Sequence, residues 1–148
     1  MFAKYLSAII VVVLLTTAAF GQVKDSKKFS RLQMSENLRA SLVERFNLWV
    51  EYERAGRYDK QFEMTDLTHY QDYWDVPRYI DFKQNSRSFH GELLELKVKS
   101  VEQDSVRSVS ISIRAKLQKN NKKRWETPIM VARMENGVWI FYFTYVQV

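Results

Sequence analysis

The chain has 148 residues, and 23 Lys and Arg against 17 Asp and Glu give it a formal charge of +6, with the two signs interspersed. It has no cysteine, two histidines and four glycines. These numbers exclude a lipid anchor on cysteine, a disulfide-stapled miniprotein, and the common zinc and thiol-nucleophile sites.

The N-terminus reads in three parts. Lys4 is followed by an apolar run from Ala8 to Leu15, extended weakly to Phe20, and then by Ala19-Phe20-Gly21. Small residues at 19 and 21 occupy the two positions a signal peptidase inspects. The pattern predicts a cleavable secretory signal over residues 1–21, with Gln22 first in the mature chain. Its apolar run is shorter than the roughly 20 residues a spanning helix needs; the alternative is a retained anchor. The expected location is the periplasm or the cell exterior, with no stable membrane span after cleavage. Residues 22–34 are polar and aperiodic and read as a flexible mature N-terminus, and 35–148 as a single domain.

Ser35 then looks like an N-cap, and Leu38, Leu42, Phe46 and Trp49 recur at helical spacing as far as Gly56, where a left-handed cap is expected. A helix over Ser35 to Ala55 follows. A second, shorter helix is predicted over Tyr58 to Asp66, then an aromatic connector over 67–76. A third helix starts at Pro77, capped by Asp75, and runs to about Gln84.

After Ser86 the period changes to two. Leu94, Leu96 and Val98 form one strand, Val109 to Leu117 a second, Trp125 to Val131 a third and Val138 to Val148 a fourth. Gln103-Asp104, Asn120-Asn121 and Asn136-Gly137 are the turns between them. Gly21, Gly56, Gly91 and Gly137 thus each have a structural place, at the cleavage site, a helix end, a strand entry and a hairpin. None remains for a phosphate-cradling loop, a dinucleotide fingerprint or a nucleophile elbow. No cofactor and no metal is expected. The one tight basic run, Lys119, Lys122, Lys123 and Arg124, reads as a solvated turn, so no nucleic acid is expected either.

Helices first and an antiparallel meander after make an α+β plan. The long helix ending Ala55-Gly56, a helix starting two residues on, and the closing hairpin RMENGVWIFYFTY from Arg133 resemble the nuclear transport factor 2-like (cystatin-like) superfamily, as a secreted bacterial member. The resemblance implies a long helix and two short ones packed on a curved four-stranded antiparallel sheet, forming a cone open at one end. Many members carry Gly-Asp before the second helix; here Gly56-Arg57-Tyr58-Asp59 displaces that acid to Asp59. Enzymes of the superfamily, among them ketosteroid isomerase and scytalone dehydratase, use Asp, His and Tyr in the cone. That implies a cofactor-independent lyase or isomerase in which Asp66 or His69 is the base and Tyr52 a hydrogen-bond donor. On the other reading Asp66, Asp72 and Asp75 sit on turns and His69 is a loop histidine.

Tyr70, Tyr73, Trp74, Tyr79 and Phe82 read as the lining of a pocket for an apolar or ring-shaped ligand, or as helix-on-sheet packing. The last strand is apolar on both faces. One face, with Met130, Trp139, Phe141, Phe143 and Tyr145, is expected to be covered, by a second copy in a homodimer or by the segment around Phe29 and Leu32. The reading carried forward is an exported, non-catalytic module that binds a small ligand or a protein partner. The rivals are the lyase or isomerase and a structural dimerisation domain with a filled cavity.

Overall fold

The structure, a computed structural model, describes residues 26–144. The signal peptide expected over 1–21 and the far end of the closing strand, including Tyr145, lie outside the described residues. Among the described residues no helix is long and apolar enough to cross a membrane.

From Ser26 on, the segment expected to be a flexible lead-in is structured. A short helix, α1 (Ser26–Phe29), is followed by a turn that puts Phe29 and Leu32 in the core. Gln33 and Gln103 then exchange two hydrogen bonds of 2.6 and 3.1 Å, which fasten the segment to the first strand. Polarity had hidden these two anchors, because two apolar residues separated by polar ones carry no period.

The next helix, α2 (Glu36–Ala55), forms as its caps predict. Ser35 Oγ accepts from the Leu38 amide at 3.3 Å, and Gly56 closes the helix at φ 66°. Its buried stripe is Leu42, Phe46, Trp49 and Val50. The following helix, α3 (Tyr58–Phe62), is shorter than expected. Thr65 is drawn out into a parallel bridge with Phe141, whose amide donates to the Met64 carbonyl at 2.9 Å, and a 3-10 turn over Asp66–His69 follows.

In contrast, α4 (Val76–His90) runs six residues past Gln84. Asp75 caps it as expected, accepting from the Arg78 amide at 2.8 Å. Tyr79 is its one fully buried residue.

The sheet is antiparallel and has five strands rather than four. They are β1 (Glu92–Ser105), β2 (Ser108–Lys119), β3 (Lys122–Glu126), β4 (Ile129–Glu135) and β5 (Val138–Thr144). The order is β1-β2-β4-β5, with β3 also on β2. Pro128 divides the expected third strand. It has no amide to donate, and its carbonyl accepts from Ile113 at 2.9 Å, so the chain pairs with the end of β2 before Pro128 and with its beginning after. On β2 the alternation holds, with Val109, Ile111, Ile113, Ala115 and Leu117 all buried. On β1 an irregularity between Leu93 and Glu95 turns Leu93 inward and leaves Leu94 exposed. The first turn falls at Val106-Arg107 rather than Gln103-Asp104, because β1 stays paired as far as Ser105 opposite Ser108. Asn120, Asn121, Asn136 and Gly137 all adopt the positive φ that two-residue hairpins need.

Met130, Trp139 and Phe141, expected on an outer pairing face, lie inside instead. Each is at most 1% exposed, in the core beneath α1 and α2. Phe141 meets Phe46 edge-on at 6.3 Å, and Trp139 donates from Nε1 to Ser41 Oγ at 3.1 Å. The Phe143 side chain lies outside the described residues. Of the two covers considered for this face, the segment around Phe29 and Leu32 is in place, with the Phe29 and Phe46 rings 5.8 Å apart.

Candidate functional site

The inner face of the sheet is longer than the helix that covers it. α2 packs on β2, β4 and β5, and its stripe ends at Trp49 and Val50. Beyond that point the apolar floor continues as Leu93 and Leu96 of β1 and Ile113, Ala115 and Leu117 of β2. Across the gap, α4 presents Lys83, Ser86, Arg87 and His90, which do not fill it. A hollow of about 680 Å³ remains, closed at its far side by Trp125 to Ile129.

The charged groups at its mouth are paired. Lys83 Nζ lies 2.5 Å from Glu53 Oε2, both side chains mostly buried. Glu53 also accepts from Gln61 Nε2 at 2.7 Å, and Gln61 Oε1 accepts from the Tyr79 hydroxyl at 3.2 Å. This chain ties α2, α3 and α4 together at the inner end of the hollow. Arg87 is held more loosely, with the Tyr58 hydroxyl at 3.3 Å and Glu92 at 3.9 Å. Burial, then the charge of Glu53, pushes the Tyr58 phenol above its ordinary range. On the opposite rim the Arg124 guanidinium lies 3.2 Å from His90 Nδ1 and donates to the His90 carbonyl at 3.1 Å. Glu126 lies 3.4 Å from the same imidazole nitrogen and 2.9 Å from Arg124.

A second hollow of about 230 Å³ adjoins the first at Lys83, which lines both. Trp74, Tyr79 and Phe82 wall it together with Thr65, Asp66, Leu67 and Tyr142. The Trp74 and Phe82 rings meet edge-on at 5.5 Å. Burial raises the Asp66 carboxyl above its ordinary range, and Glu135 adds to the shift. Nearby, the Tyr142 hydroxyl donates to Glu135 Oε1. Burial and that bond push the phenol up to about 12.

Three of the five aromatic residues read as pocket lining are therefore brought together, Trp74, Tyr79 and Phe82, and Asp66 with them. Tyr70 and Tyr73 are 56% and 76% exposed and line neither hollow. His69 is largely exposed, its Nε2 3.3 Å from Glu135 Oε2. Tyr52 packs half-buried on the main core and lines neither hollow, so the trio Asp66, His69 and Tyr52 is not assembled around one cavity. Among the described residues no three His, Asp or Glu side chains gather as a metal set.

Sequence reasoning missed the larger hollow because its floor reads as ordinary strand interior. The available signal was an excess: β1 and β2 offer inward apolar positions that a third helix ending at Gln84 could not cover.

No protein-family model matches the chain, and no curated protein matches it. Two solved structures are similar in fold. A SEC-C motif containing protein from Rhodopseudomonas palustris is 17% identical with a TM-score of 0.52, over 66% of this chain and 73% of that one. Another from Psychrobacter arcticus is 13% identical with a TM-score of 0.50, over 91% of this chain and 73% of that one. The expected nuclear transport factor 2-like resemblance is corrected by these matches: the fold is shared with SEC-C motif containing proteins. The features that suggested it, a glycine after a helix, a helix two residues on and an Asn-Gly hairpin, are capping and turn chemistry shared by many folds.

Proposed function

We propose that the protein is an exported, non-catalytic binding module in which sheet and helices form an open-ended cup for a small ligand with an apolar body. The observation that carries this reading is the larger hollow itself, about 680 Å³ over an apolar floor. Leu93, Leu96, Ile113, Ala115 and Leu117 face inward, yet no side chain of α4 packs them to the density of a core. Its volume lies in the range of small-molecule sites, which are mostly apolar with a few placed polar groups. Each Å² of that floor a ligand removes from water contributes about 25 cal/mol. Arg87, the more loosely held cation at the mouth, suits a polar or anionic end on the ligand. Export rests on the N-terminal pattern of residues 1–21.

The test uses 8-anilinonaphthalene-1-sulfonate, a fused ring carrying one anionic group. It is expected to bind saturably, one per chain, with enhanced emission. Ala115→Phe, which places a ring on the floor, is expected to weaken that binding at least tenfold while the melting temperature is kept. Equal binding by a folded Ala115→Phe variant would count against the larger hollow as the site.

A further inference from the structure

The smaller hollow has a chemistry of its own. Four of its walls are aromatic, Trp74, Tyr79, Phe82 and Tyr142, and one is the carboxylate of Asp66. No cation of the described residues lies within ion-pair distance of Asp66; His69 and Arg133 act on it only from further away. Lys83 also lines this hollow, and its ammonium is paired with a carboxylate other than Asp66. Its ammonium sits 2.5 Å from Glu53 and 5.8 Å from the Trp49 ring, and Glu53 and Trp49 belong to the larger hollow. A partly desolvated carboxylate without a counter-ion, among aromatic rings, is costly as it stands.

We propose that this hollow is a site for a small alkylated ammonium ion, whose methyl groups lie against the rings of Trp74, Tyr79 and Phe82 and whose charge is met by Asp66. Ring faces attract an organic cation electrostatically, and aromatic walls desolvate one at little cost because its methyl groups make no hydrogen bonds to water. An anion is disfavoured by Asp66 and by Glu135 beside it. A metal ion finds too few oxygen ligands here. At about 230 Å³ the space suits a headgroup-sized cation and not a long chain. Burial holds the Asp66 carboxyl above its ordinary range, and binding a cation is expected to bring it down again.

The experiment titrates the full chain with choline and with 3,3-dimethylbutan-1-ol, its uncharged isostere, by calorimetry. Choline is expected to bind saturably and the alcohol at least tenfold more weakly. Asp66→Asn, the same shape without the charge, is expected to weaken choline at least tenfold and to leave the alcohol unchanged. Phe82→Leu, at a partly exposed ring, is expected to weaken choline severalfold. Absence of choline binding at millimolar concentration, equal affinity for the two probes, or an Asp66→Asn variant that binds choline normally would each overturn the proposal. Ala115 lines the larger hollow and not this one, so choline is expected to bind Ala115→Phe as it binds the parent chain. Its outcome is therefore independent of the naphthalene probe's.

Discussion

Asp66 is held in its charged form at a cost. Its folded pKa lies above the unfolded value, with burial the largest cause. Between those two values the folded state binds the proton more tightly than the unfolded chain. Stability therefore falls as pH rises through that window and stays lower above it. Asp66→Asn removes the penalty. In thermal melts the variant is expected to be more stable than the parent at pH 7, and indistinguishable near pH 3, where the carboxyl is protonated in both states. A variant destabilised at pH 7 would mean that the charge is matched by a partner. At this scale the sequence put Trp74, Tyr79 and Phe82 in one aromatic group and Asp66 in another, with His69 and Tyr52. The structure brings Asp66 and the three rings around one hollow, all from a short stretch of chain that the sequence had divided. It did not name Glu135 and Tyr142, which reach the same region only because Thr65 bridges to β5.

The elements whose ends carry cap or turn residues were legible, and those shaped by distant pairing were not. Ser35, Gly56, Asp75 and the Asn-Gly hairpin fixed boundaries that the structure keeps. The second half of α4 was hidden because it faces a hollow with Lys83, Ser86, Arg87 and His90, so no apolar stripe marks it. The division of the third strand at Pro128 depends on which part of β2 each piece meets. Gly91 joins α4 to β1 at the wall of the larger hollow, with φ 104°. A Cβ there would stand 2.5 Å from the Gln118 carbonyl oxygen, which is backbone and cannot swing aside. Gly91→Ala is expected to lower unfolding free energy by about 1–3 kcal/mol, the usual cost of a strained backbone position, measured by urea denaturation. An unchanged midpoint would show that the junction relaxes freely.

Taken whole, the molecule buries one apolar face of its sheet completely at one end and incompletely at the other. At the β5 end, Phe29, Leu32 and α2 cover Met130, Trp139 and Phe141, so these residues are not open to a second copy. At the β1–β3 end, α4 stands over the same face and leaves the larger hollow. The α+β class was legible from the change of hydrophobic period near Ser86. The hollow was not, because a strand shows which face is apolar but not whether a helix fills it. The central claim is that this hollow holds a ligand. Native mass spectrometry of the protein purified from its own host tests it most directly. One small molecule per chain is expected on the parent protein, lost on denaturation and absent from the folded Ala115→Phe variant. A bare parent chain, or the same small molecule retained by Ala115→Phe, would contradict it.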